Sequence, residues 1–242
     1  RTFNTEALVL RSTDLGEADR LLTLLTPAYG KLQATVRGAR KTTSKLGGHL
    51  DLLTRSSLTI SQGQSLDTVT GAEALETFMA LKGDLKAISK ALYMAELADA
   101  FNPLESPNPP AYALLLETLR AMETPADQEL ALRYFELRLL DLSGFLPQLA
   151  QCVQCEEKPL PGSHFLSPAA GGVLCPPCKA SFADAAPISV DALKVLRYLS
   201  VNPLAVALQE GTTPRRSSLR EPAFMPPRAM AWAMRPASRP SR

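Results

Sequence analysis

Between Lys31 and Arg37, Leu32, Ala34 and Val36 alternate with Lys31, Gln33, Thr35 and Arg37. A period of two predicts a half-buried strand with one face in a core and a polar, basic face outward. Shorter apolar runs surround it. Glu6–Arg11 is bounded by Ser12–Gly16, and Asp19–Thr26 is ended by Pro27 and Gly30. Leu52–Ser61 and Leu66–Glu73 flank Gln62-Gly63-Gln64-Ser65, which reads as a hairpin turn. Five short strands in about seventy residues predict a small closed barrel of the OB type.

Beyond Glu76 the period changes to that of helices. Phe78–Phe101 places Leu81, Leu85, Ile88, Leu92, Tyr93 and Leu97 near helical spacing, with Gly83 as a kink. Pro107–Pro110 leads into a second helix, Ala111–Glu123. Thr124-Pro125 reads as an N-cap followed by proline at the first helical position, opening a helix to Leu142 that is apolar on most sides and therefore central to a bundle. Arg133 and Arg138 on it read as edge or ion-pair residues. Ser143-Gly144 stops that helix, and a last one runs from Pro187 to Ser200 with Ser189 as N-cap. From Gly211 the composition turns to proline and arginine, which predicts a largely disordered tail. The expected class is α+β and multidomain. Its parts are an OB barrel over 1–77, a helical domain over 78–150 and 187–210, a four-cysteine insertion over 151–180 and the tail over 211–242.

The cysteines carry the clearest chemistry. Cys152 and Cys155, then Cys175 and Cys178, form two C-x2-C knuckles separated by nineteen residues, and the chain has four cysteines in all. Two knuckles can complete a tetrahedral sulfur shell around one soft ion, so the stretch reads as a metal-closed ribbon. Structural Zn2+ and an iron–thiolate centre share that geometry, and both readings stand at this point. His164 lies in the loop between the knuckles and reads as a bystander. Two disulfides would suit an exported chain, but nothing at the N-terminus resembles a signal peptide. The chain opens on Arg1 rather than Met, the mark of a trimmed or partial N-terminus.

The formal net charge of the 242 residues is only +2, but it is unevenly spread. Lys31, Arg37, Arg40, Lys41, Lys45 and Arg55 face a single acid, Asp51, within residues 31–55. The loop from Gly38 to Gly48 adds glycines and hydroxyls to those cations, the groups that hold phosphates. Nearby aromatics are few, Phe3, Tyr29 and Phe78, so contact is expected mainly with the nucleic-acid backbone. No apolar run approaches the ~18 residues of a membrane span. No catalytic motif emerges: G-x-S-x-G, a Walker loop and H-E-x-x-H are all missing, which favours binding over turnover.

The segments Glu6–Arg11, Gly16–Pro27, Gly30–Leu32 and Arg37–Arg40, followed by Phe135–Leu140, Gly144–Pro147 and the four cysteines, resemble the bacterial RecO family of recombination mediators. The resemblance runs from residue 3 to about 200, while the proline- and arginine-rich end departs from the family's final helix. It implies an N-terminal OB-fold, a helical domain and a structural zinc ribbon in a cytoplasmic, nucleoid-associated protein. It also implies binding of single- and double-stranded DNA, annealing of complementary strands, and help from RecR in loading RecA onto DNA coated by single-stranded-DNA-binding protein. Two other readings compete with it: an iron–thiolate redox protein with the barrel as scaffold, and a basic barrel that binds an acidic protein surface.

Overall fold

The computed structural model describes residues 1–40, 44, 46–158, 162 and 164–209. These fall into two compact units, Arg1–Gln128 and the chain from Glu129 onward.

Five strands close a barrel in the first unit: β1 (Thr2–Leu15), β2 (Asp19–Thr26), β3 (Gly30–Val36), β4 (Arg55–Ser61) and β5 (Asp67–Glu76), in the order β1-β2-β3-β5-β4. Neighbours are antiparallel except β3 and β5, whose short parallel pairing at Ala34–Asp67 and Thr35–Thr68 closes the cylinder. β1 is far longer than its apolar run Glu6–Arg11. Its first half pairs with β4 and its second half with β2, so polar residues at both ends are held by ladder hydrogen bonds rather than by burial. The alternation in β3 is realised as drawn: Leu32, Ala34 and Val36 are buried with Ala7, Val9, Leu22, Leu24, Leu58, Ile60 and Val69, while Gln33 points to solvent. Truncating a fully buried leucine in such a cluster to alanine costs about 2–5 kcal/mol.

Three helices complete this unit: α1 (Met79–Lys82), α2 (Leu85–Phe101) and α3 (Pro109–Met122). Gly83 separates α1 from α2 outright rather than kinking one helix. It ends the first, and Asp84 starts the second by accepting from the Lys86 N–H. Asn108 caps α3, with prolines at its first two positions. The expected cap at Thr124-Pro125 does not form. The Asp127 N–H donates to the Thr124 carbonyl at 3.0 Å, so Pro125 sits inside a turn, a position that suits its fixed φ equally well.

The second unit carries α4 (Gln128–Leu142), the three-stranded sheet β7-β6-β8 and α5 (Val190–Val201), followed by the short α6 (Leu204–Ala207). The sheet strands are β6 (His164–Ser167), β7 (Gly172–Leu174) and β8 (Ala186–Ile188). Arg133 pairs with Glu129 and Glu136, both at 2.9 Å, and Arg138 pairs with Asp141 at 2.8 Å. Ser189 caps α5 as its sequence predicts. Residues 210–242, which include the tail, lie outside the described residues.

Candidate nucleic-acid interface and metal centre

Two features hold the loop after β3 in place. The Gly38 N–H donates to Asp19 at 2.8 Å, and the Arg40 N–H donates to the Ala18 carbonyl at 3.0 Å, which ties the loop to the β1–β2 hairpin. Beyond it, Ser44 accepts from the Gly47 N–H at 3.2 Å. Arg37 projects from the end of β3, exposed and without an ion pair among the described residues. Arg40 is also exposed. Its guanidinium reaches the Gly16 carbonyl at 3.2 Å and lies 3.5 Å from Asp14, a surface pairing weak enough for a phosphate to replace.

The other cations of the 31–55 window divide between partners and undescribed positions. Lys31 donates to Asp99 through both the carboxylate, at 2.9 Å, and the backbone carbonyl, at 2.6 Å, and Arg11 pairs with the same carboxylate. Arg55 donates to Glu6 at 2.7 Å and to Glu76 at 2.5 Å; Arg120 also holds Glu76. The hydrogen bond from Arg120, against the opposing effect of burial and with help from Arg55, holds the Glu76 carboxyl down at about 2. Hydrogen bonding to Glu6 outweighs burial and raises the Arg55 pKa. Lys31 and Arg55 are therefore fixed by carboxylates rather than displayed to a ligand. Lys41 and Lys45 lie outside the described residues. The basic face expected from the sequence contracts, among the described residues, to the segment that carries Arg37 and Arg40.

In the second unit the four cysteine sulfurs all lie within 4.8 Å of one another. The fold dictates this. Val153 donates to Val173 at 3.0 Å, and Gln148 exchanges hydrogen bonds with Gly171 and Val173, so the first knuckle lies along β7 and its entry. Gly172 permits that approach, since a Cβ there would stand 2.4 Å from the Gln148 carbonyl oxygen. Each knuckle is a tight turn: Glu156 donates to the Cys152 carbonyl at 2.9 Å, with a left-handed φ of 61° at Glu156, and Cys178 donates to the Cys175 carbonyl at 3.1 Å. Arg197 on α5 clamps the entry strand through the Leu149 carbonyl at 2.6 Å.

The donor set fits a soft metal ion. Cys155 and Cys175 place their sulfurs 3.7 Å apart. A tetrahedral shell with metal–sulfur bonds of about 2.3 Å sets its sulfurs about 3.8 Å apart. Burial opposes ionisation of Cys152, but N–H groups of Cys155, Cys175 and Gln154 donate to its sulfur and bring its pKa down to about 6. Cys178 is pushed up to about 12, chiefly by its hydrogen bond with Cys175 and then by burial. The Cys152 thiolate forms easily while Cys155 and Cys178 resist ionisation, an imbalance that a divalent cation among four sulfurs removes. His164 is buried with Nδ1 unpartnered among the described residues, held toward its neutral form by burial and by the charge of Arg197, and is not among the clustered ligands.

Family models for the N-terminal and C-terminal regions of recombination protein O match residues 1–78 and 82–217. The chain belongs to the RecO family. It is 42% identical over 200 residues to a DNA repair protein RecO of Dehalococcoides mccartyi strain 195, covering 83% of this chain and 79% of that one. A RecO of Roseiflexus sp. RS-1 is 42% identical over 207 residues, or 86% and 73% of the two chains. One from Symbiobacterium thermophilum is 36% identical over 200 residues, or 81% and 79%. The barrel coincides with the first RecO region, and helices α2 to α6 and the cysteine quartet with the second. No helix among the described residues is long and apolar enough to cross a membrane.

Proposed function

We propose that the chain is a non-enzymatic mediator of DNA repair and recombination that binds single- and double-stranded DNA through the loop following β3 and anneals complementary strands. The observation that carries this reading is the exposure of Arg37 and Arg40 on a segment whose backbone N–H groups are pinned to Asp19 and Ala18 at the β1–β2 hairpin of an OB-type barrel in a RecO chain. Phosphate contacts there neutralise charge on two strands at once. Annealing is then a matter of reduced repulsion and raised local concentration, with no bond made or broken in the DNA. The resemblance to RecO adds RecR, single-stranded-DNA-binding protein and RecA as partners in a bacterial cytoplasm. Cys152, Cys155, Cys175 and Cys178 are the residues to hold Zn2+. The ion's contribution is to fix the two knuckles, since four thiolates leave no open position for chemistry.

The test is annealing of complementary fluorescent oligonucleotides coated with single-stranded-DNA-binding protein. The wild-type chain accelerates duplex formation without consuming nucleotide. Equal rates with and without the protein contradict the reading.

A further inference from the structure

Beside β3, a cleft of about 570 Å³ opens between the β2–β3 turn, the β4–β5 turn and the segment between α2 and α3. Phe3 and Tyr29 form one wall, their rings 4.5 Å apart and tilted by 46°. Gln62, Asp67, Glu105 and Pro107 line the rest. Tyr29 stays 40% exposed although its backbone is fixed: Thr26 Oγ1 accepts from the Tyr29 N–H at 3.0 Å and donates to the Gly30 carbonyl at 2.9 Å. The facing wall is equally fixed. The Glu105 N–H donates to the Lys31 carbonyl at 2.9 Å, and Glu105 takes a left-handed φ of 55°, an unfavourable conformation for a side chain with a Cβ.

We infer that this cleft receives one unstacked nucleobase, stacked on Tyr29 with its amino edge toward Asp67 and Glu105; the inference rests on the DNA-binding reading above and deepens it. Two carboxylates exclude a phosphate, so the nucleic-acid group that suits the cleft is a base. Every base offers an aromatic face, and cytosine, adenine and guanine offer an exocyclic amine that a carboxylate accepts from. The strand between the two sites supplies the register. Tyr29 directly precedes β3 and Arg37 directly follows it; of the positions turned away from the core between them, Gln33 is exposed, while Lys31 is held by Asp99 and Thr35 by Asp67 and Thr68. Eight residues at ~3.3 Å each separate the aromatic and the cation by roughly 26 Å. A single strand of several nucleotides spans that distance, within the ~4–16 nucleotides that one OB barrel occupies. Phosphates are held at Arg37 and Arg40 at one end, and a base is held at Tyr29 at the other.

The experiment is fluorescence anisotropy on the full chain with labelled 20-mers of cytosine, thymine and abasic residues, and with a duplex, at one salt concentration. Wild type is expected to bind the cytosine strand at least five-fold more tightly than the abasic strand, and more tightly than the thymine strand. Tyr29→Ala removes the advantage over the abasic strand, Tyr29→Phe keeps it, and Glu105→Gln narrows the gap between cytosine and thymine. Duplex affinity stays unchanged in all three variants, because paired bases do not enter. Equal binding of abasic and cytosine strands by wild type, or an unaltered preference in Tyr29→Ala, overturns the base pocket while leaving DNA binding intact. Wild type that binds no single strand overturns both readings. If N-acetyl-arginine amide shifts the Tyr29 ring resonances and deoxycytidine does not, the cleft belongs to a protein side chain and the inference fails.

Discussion

The ammonium of Lys31 lies 2.9 Å from the carboxylate of Asp99, a residue sixty-eight positions further along the chain. This pairing, half a domain away in sequence, turns the first cation of the basic window into a tie between the barrel and α2. Lys31→Ala is therefore expected to lower thermal stability by several degrees while changing single-strand affinity less than two-fold. A large loss of DNA affinity in a variant of normal stability would return Lys31 to the binding face.

The carboxyl of Glu76 is held at about 2 by Arg120 and Arg55, well below its ordinary range. A depressed folded pKa contributes stability above the unfolded value, and that contribution is lost as pH falls from the ordinary carboxylate range toward 2. Urea midpoints of wild type should fall across that window more steeply than those of Glu76→Gln, whose stability lacks this component at neutral pH. Parallel curves would mean that the pairings with Arg55 and Arg120 contribute nothing measurable.

Gly30 takes a φ of 71°, and a Cβ there would stand 2.1 Å from the Ser106 carbonyl oxygen. Gly30→Ala meets both a left-handed backbone and a backbone clash, so it is expected to cost more than ~1 kcal/mol and to lower the melting temperature. An unchanged melting temperature would show that the α2–α3 segment moves away without cost.

Cys175→Ser removes one sulfur from a shell whose members are all within 4.8 Å of one another. Metal content by mass spectrometry should fall from one ion per chain to well below it, with faster proteolysis between Gln151 and Lys179. Undiminished metal in the variant would mean that a different ligand set holds the ion. The same measurement names the metal: a colourless, zinc-containing sample fits the structural role, whereas visible absorbance and iron fit the redox reading.

Much of this was legible in the sequence because it depends on local pattern. Leu32, Ala34 and Val36 alternate so strictly that only a strand with one buried face satisfies them, and Cys152, Cys155, Cys175 and Cys178 have the spacing that two turns need to converge. The sites of the cations were not legible. Asp99, Glu6 and Glu76 lie outside residues 31–55 in sequence and reach Lys31 and Arg55 from α2, β1 and β5. Thr124-Pro125 was ambiguous for a different reason, since proline's fixed φ serves a turn and a first helical residue alike. The Phe3–Tyr29 pair was hidden because twenty-six positions separate residues that the β1–β4 pairing and the β2–β3 turn bring to one end of the barrel.

The most direct measurement is the affinity of the full chain for a mixed-sequence single strand across a salt titration, for wild type and for Arg37→Ala/Arg40→Ala. The double variant is expected to keep its fold, bind more weakly at every salt concentration, and show a salt slope shallower by about two, one for each phosphate that the missing guanidinium groups no longer neutralise. A folded double variant with the wild-type slope and affinity would contradict this expectation and place the DNA elsewhere on the protein.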